Sequence, residues 1–190
     1  MSDQSRLIVD PDIPLDLLEA AAERAGWVKV ADEPRDGNRP RSVIWEGPWP
    51  GLKVYYVDDH LIGVPYLLIH GPNSEQALED VMETLPSHAI ELAIMDALAA
   101  RESEDKKTSI RRLAVLGAAA EPDPHTLSIF DGAFTDPDPE VRKVAVGATT
   151  YPAWREFEPR LQIVADGDSD EGVRELAGRT LSALRRHNWS

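Results

Sequence analysis

The sequence predicts a chain in two parts: an α+β region of order α-β-β-β-β-α with an antiparallel sheet over residues 1–86, then about three helix pairs over residues 87–190. Three observations predict it. Apolar runs before residue 87 are short, alternate with polar residues and end at Pro or Gly. Beyond it lie long Ala-rich stretches whose apolar positions recur every three or four residues. Within those stretches, three segments about 31 residues apart resemble one another.

Pro14 precedes Leu15 to Ala25, a helical stretch that Gly26 stops. Trp27 to Val30 alternates as a strand, Asp32 to Arg41 is a loop, and Ser42 to Glu46 is a second strand that includes Trp45 as a core residue. Gly47-Pro48-Trp49-Pro50-Gly51 is a turn, since two Pro cannot donate to a sheet ladder. Leu52 to Val57 and Leu61 to His70 form a hairpin around Asp58-Asp59-His60, with Pro65 marking a break or an edge. Ser74 then caps a helix with apolar Ala77, Leu78, Val81, Met82 and Leu85, ended by Pro86.

The 190 residues carry 34 acidic and 20 basic side chains, a formal charge of −14. Residues 1–101 hold 18 of the acids and 8 of the bases, so most of the excess lies in the first half. This surface repels phosphate backbones and anionic lipid, which argues against a nucleic-acid or membrane partner and towards a basic protein. Cys is absent, which excludes disulfides, thiolate metal sites and Cys nucleophiles. Met1 to Asp10 lacks a basic-then-apolar leader and no run is long enough to span a bilayer, so the expected location is the cytoplasm. Arg outnumbers Lys 15 to 5, which, with the abundant Ala, is read as a GC-rich bacterial bias.

The repeating segments are Ile110-Arg111-Arg112-Leu113-Ala114, Val141-Arg142-Lys143-Val144-Ala145 and Val173-Arg174-Glu175-Leu176-Ala177. Each starts a helix with one apolar face, and Val144 is assigned to that face. Five residues before each β-branched residue stands an Asp, at 105, 136 and 168, placed to cap the helix start. A further helix precedes each: Ala89 to Ala100, Pro124 to Phe134 and Pro159 to Asp166. Pairs of this size cannot bury their apolar faces alone and must stack.

Asp136 to Ala145, Asp-Pro-Asp-Pro-Glu-Val-Arg-Lys-Val-Ala, resembles the second-helix signature of short HEAT-like repeats of the PBS-lyase type. The resemblance covers about Ser87 to Arg186. It implies an α-solenoid of antiparallel helix pairs whose second helices line a partner-binding face. It also implies an inter-repeat ladder that joins Arg111, Arg142 and Arg174 to Asp105, Asp136 and Asp168. The alternative role for these Arg is to hold a ligand anion. The first copy departs from the pattern, with Asp105-Lys106-Lys107-Thr108-Ser109 in place of the acidic Pro-rich run.

Candidate chemistry is sparse. Asp58, Asp59, His60 and His70 have metal-ligating side chains, but three consecutive residues cannot all face one centre, and a polar hairpin turn is the preferred reading. No nucleophile elbow, phosphate loop or dinucleotide motif occurs, so no catalytic residue, metal or cofactor is expected. Four residues are candidates for contact with a partner: Trp49 in its Pro-flanked turn, Asp58 and Asp59 at the hairpin tip, and Trp154 between the second and third repeats. For Trp49 and Trp154 the competing reading is packing, over the sheet edge and at the repeat junction. Trp189 is assigned to cover the open end of the stack.

The function expected is a non-catalytic protein-interaction module on HEAT-like repeats, with an immunity-type inhibitor of a basic toxin as its narrower form. Two enzyme readings compete with it. One is a bilin lyase or its accessory subunit, implied by the repeat type; the other is a hydrolase seated in the N-terminal half.

Overall fold

The computed structural model describes residues 4–83, 87–88 and 90–188, and in it the chain divides into two compact units, Met1–Ala89 and Ile90–Ser190. The sequence places this division at 86/87. Among the described residues, unit one contains strands β1 (Gln4–Val9), β2 (Val28–Glu33), β3 (Arg41–Glu46), β4 (Lys53–Asp58), β5 (Tyr66–His70) and β6 (Ser87–His88), with helices α1 (Leu15–Arg24) and α2 (Ser74–Met82). Unit two contains α3 (Ile90–Ala99), α4 (Ser103–Gly117), α5 (Pro124–Phe134), α6 (Pro139–Ala148), α7 (Phe157–Gly167) and α8 (Glu171–Asn188).

The sheet is antiparallel throughout, in the order β2-β3-β4-β5-β1-β6. Because side chains alternate across a pleated strand, the register builds one apolar face: Leu7 opposes Leu67, Ile69 opposes Val54, and Val54 opposes Trp45. Leu18, Ala21 and Ala22 of α1 and Ala77 and Val81 of α2 join the same buried cluster, so both helices cover that face. Trp27 packs tilted against Trp45 with ring centroids 6.5 Å apart.

Several expectations for this half are corrected. The sheet gains β1 ahead of α1 and β6 after α2, so the order is not α-β-β-β-β-α. Leu7, Ile8 and Val9 are all buried, and a strand buried on both faces has no alternation to announce it. β2 runs on to Glu33, into the expected loop, as an exposed edge strand held by Arg41 on Asp32 at 3.1 and 3.2 Å and by Lys29 on Glu19 at 2.6 Å. Its charged side chains suit an edge. β5 begins only at Tyr66, because residues 59–65 make a turn in which the Gly63 amide donates to the Asp59 carbonyl at 2.8 Å, with Gly63 at φ +70°. The cap of α2 is Asn73 at φ +59°, and Ser74 is its first helical residue. The expected stop at Pro86 lies outside the described residues.

In unit two the helices pack as consecutive pairs, α3 with α4, α5 with α6 and α7 with α8, and α4, α6 and α8 pack in succession. Ile110, Leu113, Val141, Ala145, Val173 and Ala177 are buried along these last three helices. Phe130, Phe134 and Phe157 form an aromatic cluster with centroid separations of 5.0–6.4 Å. The third pair starts at Phe157, two residues before the expected Pro159. Val144 is only half-buried; the buried positions of α6 are Val141, Arg142, Ala145, Val146 and Ala148. A helix turns 100° per residue, so the stripe centres on the 141-145-148 line and Val144 falls on its shoulder.

Candidate functional site

The Asp-led helix starts hold the densest polar constellation. Ahead of α6, Asp136 Oδ1 accepts the Asp138 amide at 2.9 Å and Asp138 Oδ1 accepts the Glu140 amide at 2.9 Å. Ahead of α8 the arrangement recurs: Asp168 Oδ1 accepts the Asp170 amide at 2.8 Å and Asp170 Oδ1 accepts the Val173 amide at 3.0 Å. In each pair the second carboxylate satisfies an amide that the first helical turn leaves unpaired, and the first fixes the amide of the residue just ahead of the helix.

Arg142 joins the two. Its Nη1 donates to the Asp136 carbonyl at 2.8 Å, while Nε and Nη2 donate to the two Asp168 carboxylate oxygens at 2.8 Å each. Its side chain is 10% exposed and that of Asp168 5%, so the ion pair is buried. Arg142 holds the Asp168 carboxyl below its ordinary value of 3.8, against the opposing effect of burial. Arg174 repeats the first half of this arrangement, with Nη1 on the Asp168 carbonyl at 2.6 Å.

The first junction is built differently from the sequence expectation. Asp136 is bonded by Lys106 Nζ at 2.8 Å, not by Arg111. Arg142 and Arg174 are the fourth residues of α6 and α8, and Lys106 is the fourth residue of α4. Because α4 begins seven residues before Ile110, and α6 only two before Val141, the cation that reaches the next repeat stands five residues ahead of Arg111. Asp105 accordingly lies inside the first turn of α4 and not ahead of it. Burial favours protonation of Asp136, but Lys106 and the Asp138 amide outweigh it and lower its pKa. Neither Lys106 nor the offset was found from sequence; the signal was the degenerate first motif, where a longer helix replaces the Pro-marked start.

The partner-contact candidates divide. Trp154 is 6% exposed, stacks on Phe157 at 5.6 Å with an interplanar angle of 9°, and donates Nε1 to the Ala120 carbonyl at 3.1 Å. It therefore seals the junction and presents no face to a partner. A Cβ added at Gly117 would approach its ring to 3.1 Å, so that glycine makes room for the indole. Asp59 is also buried, its Oδ1 accepting the Leu61 and Ile62 amides at 3.0 and 3.4 Å, which removes it from the hairpin surface. Trp49 is partly buried against the sheet–helix core, and Asp58 is exposed. No group of three or more His, Asp or Glu among the described residues is arranged to hold a metal ion. Trp189 lies outside the described residues. No helix among them is long and apolar enough to cross a membrane.

Compared with family models, curated proteins and solved structures, the chain matches none.

Proposed function

We propose that the chain is a non-catalytic protein-interaction module, its helical half a HEAT-like array and its partner a basic protein. The observation that carries the array is the recurring cation–Asp contact at one helical position, Lys106 to Asp136 and Arg142 to Asp168, with Arg174 repeating the carbonyl bond. This supports repeats that stack by one rule, as in the family the motif resembles. The charge of −14 supports the nature of the partner, since an acidic surface raises the encounter rate with a basic one. Inhibition of a basic toxin by an immunity-type protein is the narrower form of this reading.

The test is affinity capture with the full chain as bait, followed by association kinetics with the purified captured protein at several ionic strengths. A basic partner is expected whose association rate falls steeply as the screening length shrinks from about 10 Å at 0.1 M salt to about 3 Å at 1 M. The dissociation rate should change much less. A salt-independent association rate removes charge from the mechanism. Turnover by the purified chain in a broad hydrolase screen, or transfer of a bilin to an acceptor, would replace the reading with an enzymatic one.

A further inference from the structure

Arg142 and Arg174 occupy one position in successive pairs, each the fourth residue of its helix. Each donates Nη1 to the carbonyl of the Asp six residues earlier, at 2.8 and 2.6 Å. That shared bond orients both guanidinium groups in the same way over their own helix starts. The other edge of the group is used differently. Arg142 spends Nε and Nη2 on the two carboxylate oxygens of Asp168, 26 residues further on. The same edge of Arg174 meets no carboxylate among the described residues, and the side chain is partly exposed. Asn188, at the end of α8, lies fourteen residues beyond Arg174, about 21 Å along the helix, so the end of α8 is not at hand.

We propose that the Nε–Nη2 edge of Arg174 is a docking point for an aspartate carboxylate that stands ahead of a helix start in a second protein. The occupant is named by the preceding junction, where the same two atoms of Arg142 hold such a carboxylate. A carboxylate offers two oxygens in the plane of the fork, whereas a carbonyl or hydroxyl fills one donor and leaves the other. Direction selects the ligand here, not bulk charge. Asp168 is held by Arg142, Asp170 lies 3.8 Å from Lys143, and Glu175 lies 3.8 Å from Arg179. Glu171, at the first position of α8, is exposed and forms no ion pair among the described residues, so it and Arg174 leave the local charge near zero. Acids at the helix start do not prevent the pairing, because Arg142 engages Asp168 with Asp138 and Glu140 at its own helix start. A second copy of this chain offers no free ladder carboxylate, since Lys106 and Arg142 already bond Asp136 and Asp168. The inference goes beyond the interaction reading above, because it needs one carboxylate at a helix start and is indifferent to the partner's net charge.

The probe is the peptide Asp-Pro-Asp-Pro-Glu-Val-Arg-Lys-Val-Ala, the sequence of residues 136–145, blocked at both ends so that its carboxylates are side chains only. It is titrated into the isotope-labelled full chain, and the side-chain Nε–H resonance of Arg174 is followed by nuclear magnetic resonance. That resonance should shift and saturate, while that of Arg179, whose side chain is 70% exposed, should move much less. The same peptide with both Asp replaced by Asn should bind about tenfold more weakly, the factor a charge-assisted pair supplies. Arg174→Lys should lose most of the preference for the acidic peptide, since an ammonium keeps the charge without the fork. Arg174→Gln should abolish the shifts of neighbouring amides. Equal binding of the two peptides, an Arg179 shift as large as that of Arg174, or an Arg174→Lys chain that binds like the original overturns the proposal. So does sedimentation showing a dimer that Arg174→Gln dissociates, which would make a second copy the occupant. The titrations of the unsubstituted chain decide the matter even where a variant lowers the melting temperature. Capture that yields no basic partner leaves this result unaffected, and a failed titration leaves the capture result standing.

Discussion

Arg142 and Asp168, 26 residues apart, face each other through two parallel 2.8 Å hydrogen bonds, the fork of the guanidinium against both carboxylate oxygens. A buried pair of this geometry adds little relative to an apolar replacement of both partners, but breaking it strands a charge. Arg142→Ala should therefore destabilise by about 3 kcal/mol, measured from urea unfolding midpoints. Arg142→Lys should fall between, because an ammonium cannot reproduce the fork. An unchanged midpoint for Arg142→Ala would place the pair with surface ion pairs of negligible value.

Acid should loosen the helical unit through the same groups. Asp136 and Asp168 titrate below the ordinary 3.8 when folded, so the folded chain holds fewer protons there than the unfolded one. Their contribution is complete above that value and drains away as pH falls towards the folded pKa values. Melting temperature should fall below about pH 4, and Asp168→Asn should flatten the curve in that range. Parallel curves for the two proteins would show that the ladder is not the titrating element.

Two valines of α6 separate core from shoulder. Val141 is fully buried and Val144 only half so. Val141→Asp buries an unpaired carboxylate and should cost more than about 4 kcal/mol, unfolding the helical unit as read by circular dichroism. Val144→Asp, able to turn its carboxylate to water, should cost clearly less. Equal losses would contradict the stripe described above.

Trp154 and Gly117 form one joint. Trp154→Ala removes a stacked indole and a hydrogen bond to the Ala120 carbonyl, at a cost of about 3–5 kcal/mol. Gly117→Val pushes into the same ring, so the double variant should lose less than the sum of the singles. Strict additivity in denaturant unfolding would mean that the two sites act independently.

The helical half was legible because its determinants are local. α5 spans Pro124–Phe134 as the sequence has it, capped by the adjacent Asp123, whereas α6 starts at Pro139 and takes its cap from Asp138, two residues after the Asp136 expected to cap it. Gly26 and Gly51, at φ +73° and +90°, likewise follow from backbone conformations that few other residues accept. Charge, the lack of Cys and the period near 31 residues also belong to the sequence alone.

Tertiary packing decided the rest. β1 is an inner strand because β5 and β6 pair along its two edges, and with Leu7, Ile8 and Val9 buried in succession it carries no alternation to read. The ladder cation of the first pair moved from Arg111 to Lys106 because the reach to Asp136 depends on where α4 begins, and no cap motif marked that start. Trp154 and Asp59 look like surface anchors in one dimension; the Ala120 carbonyl and the Leu61 and Ile62 amides turn them inward.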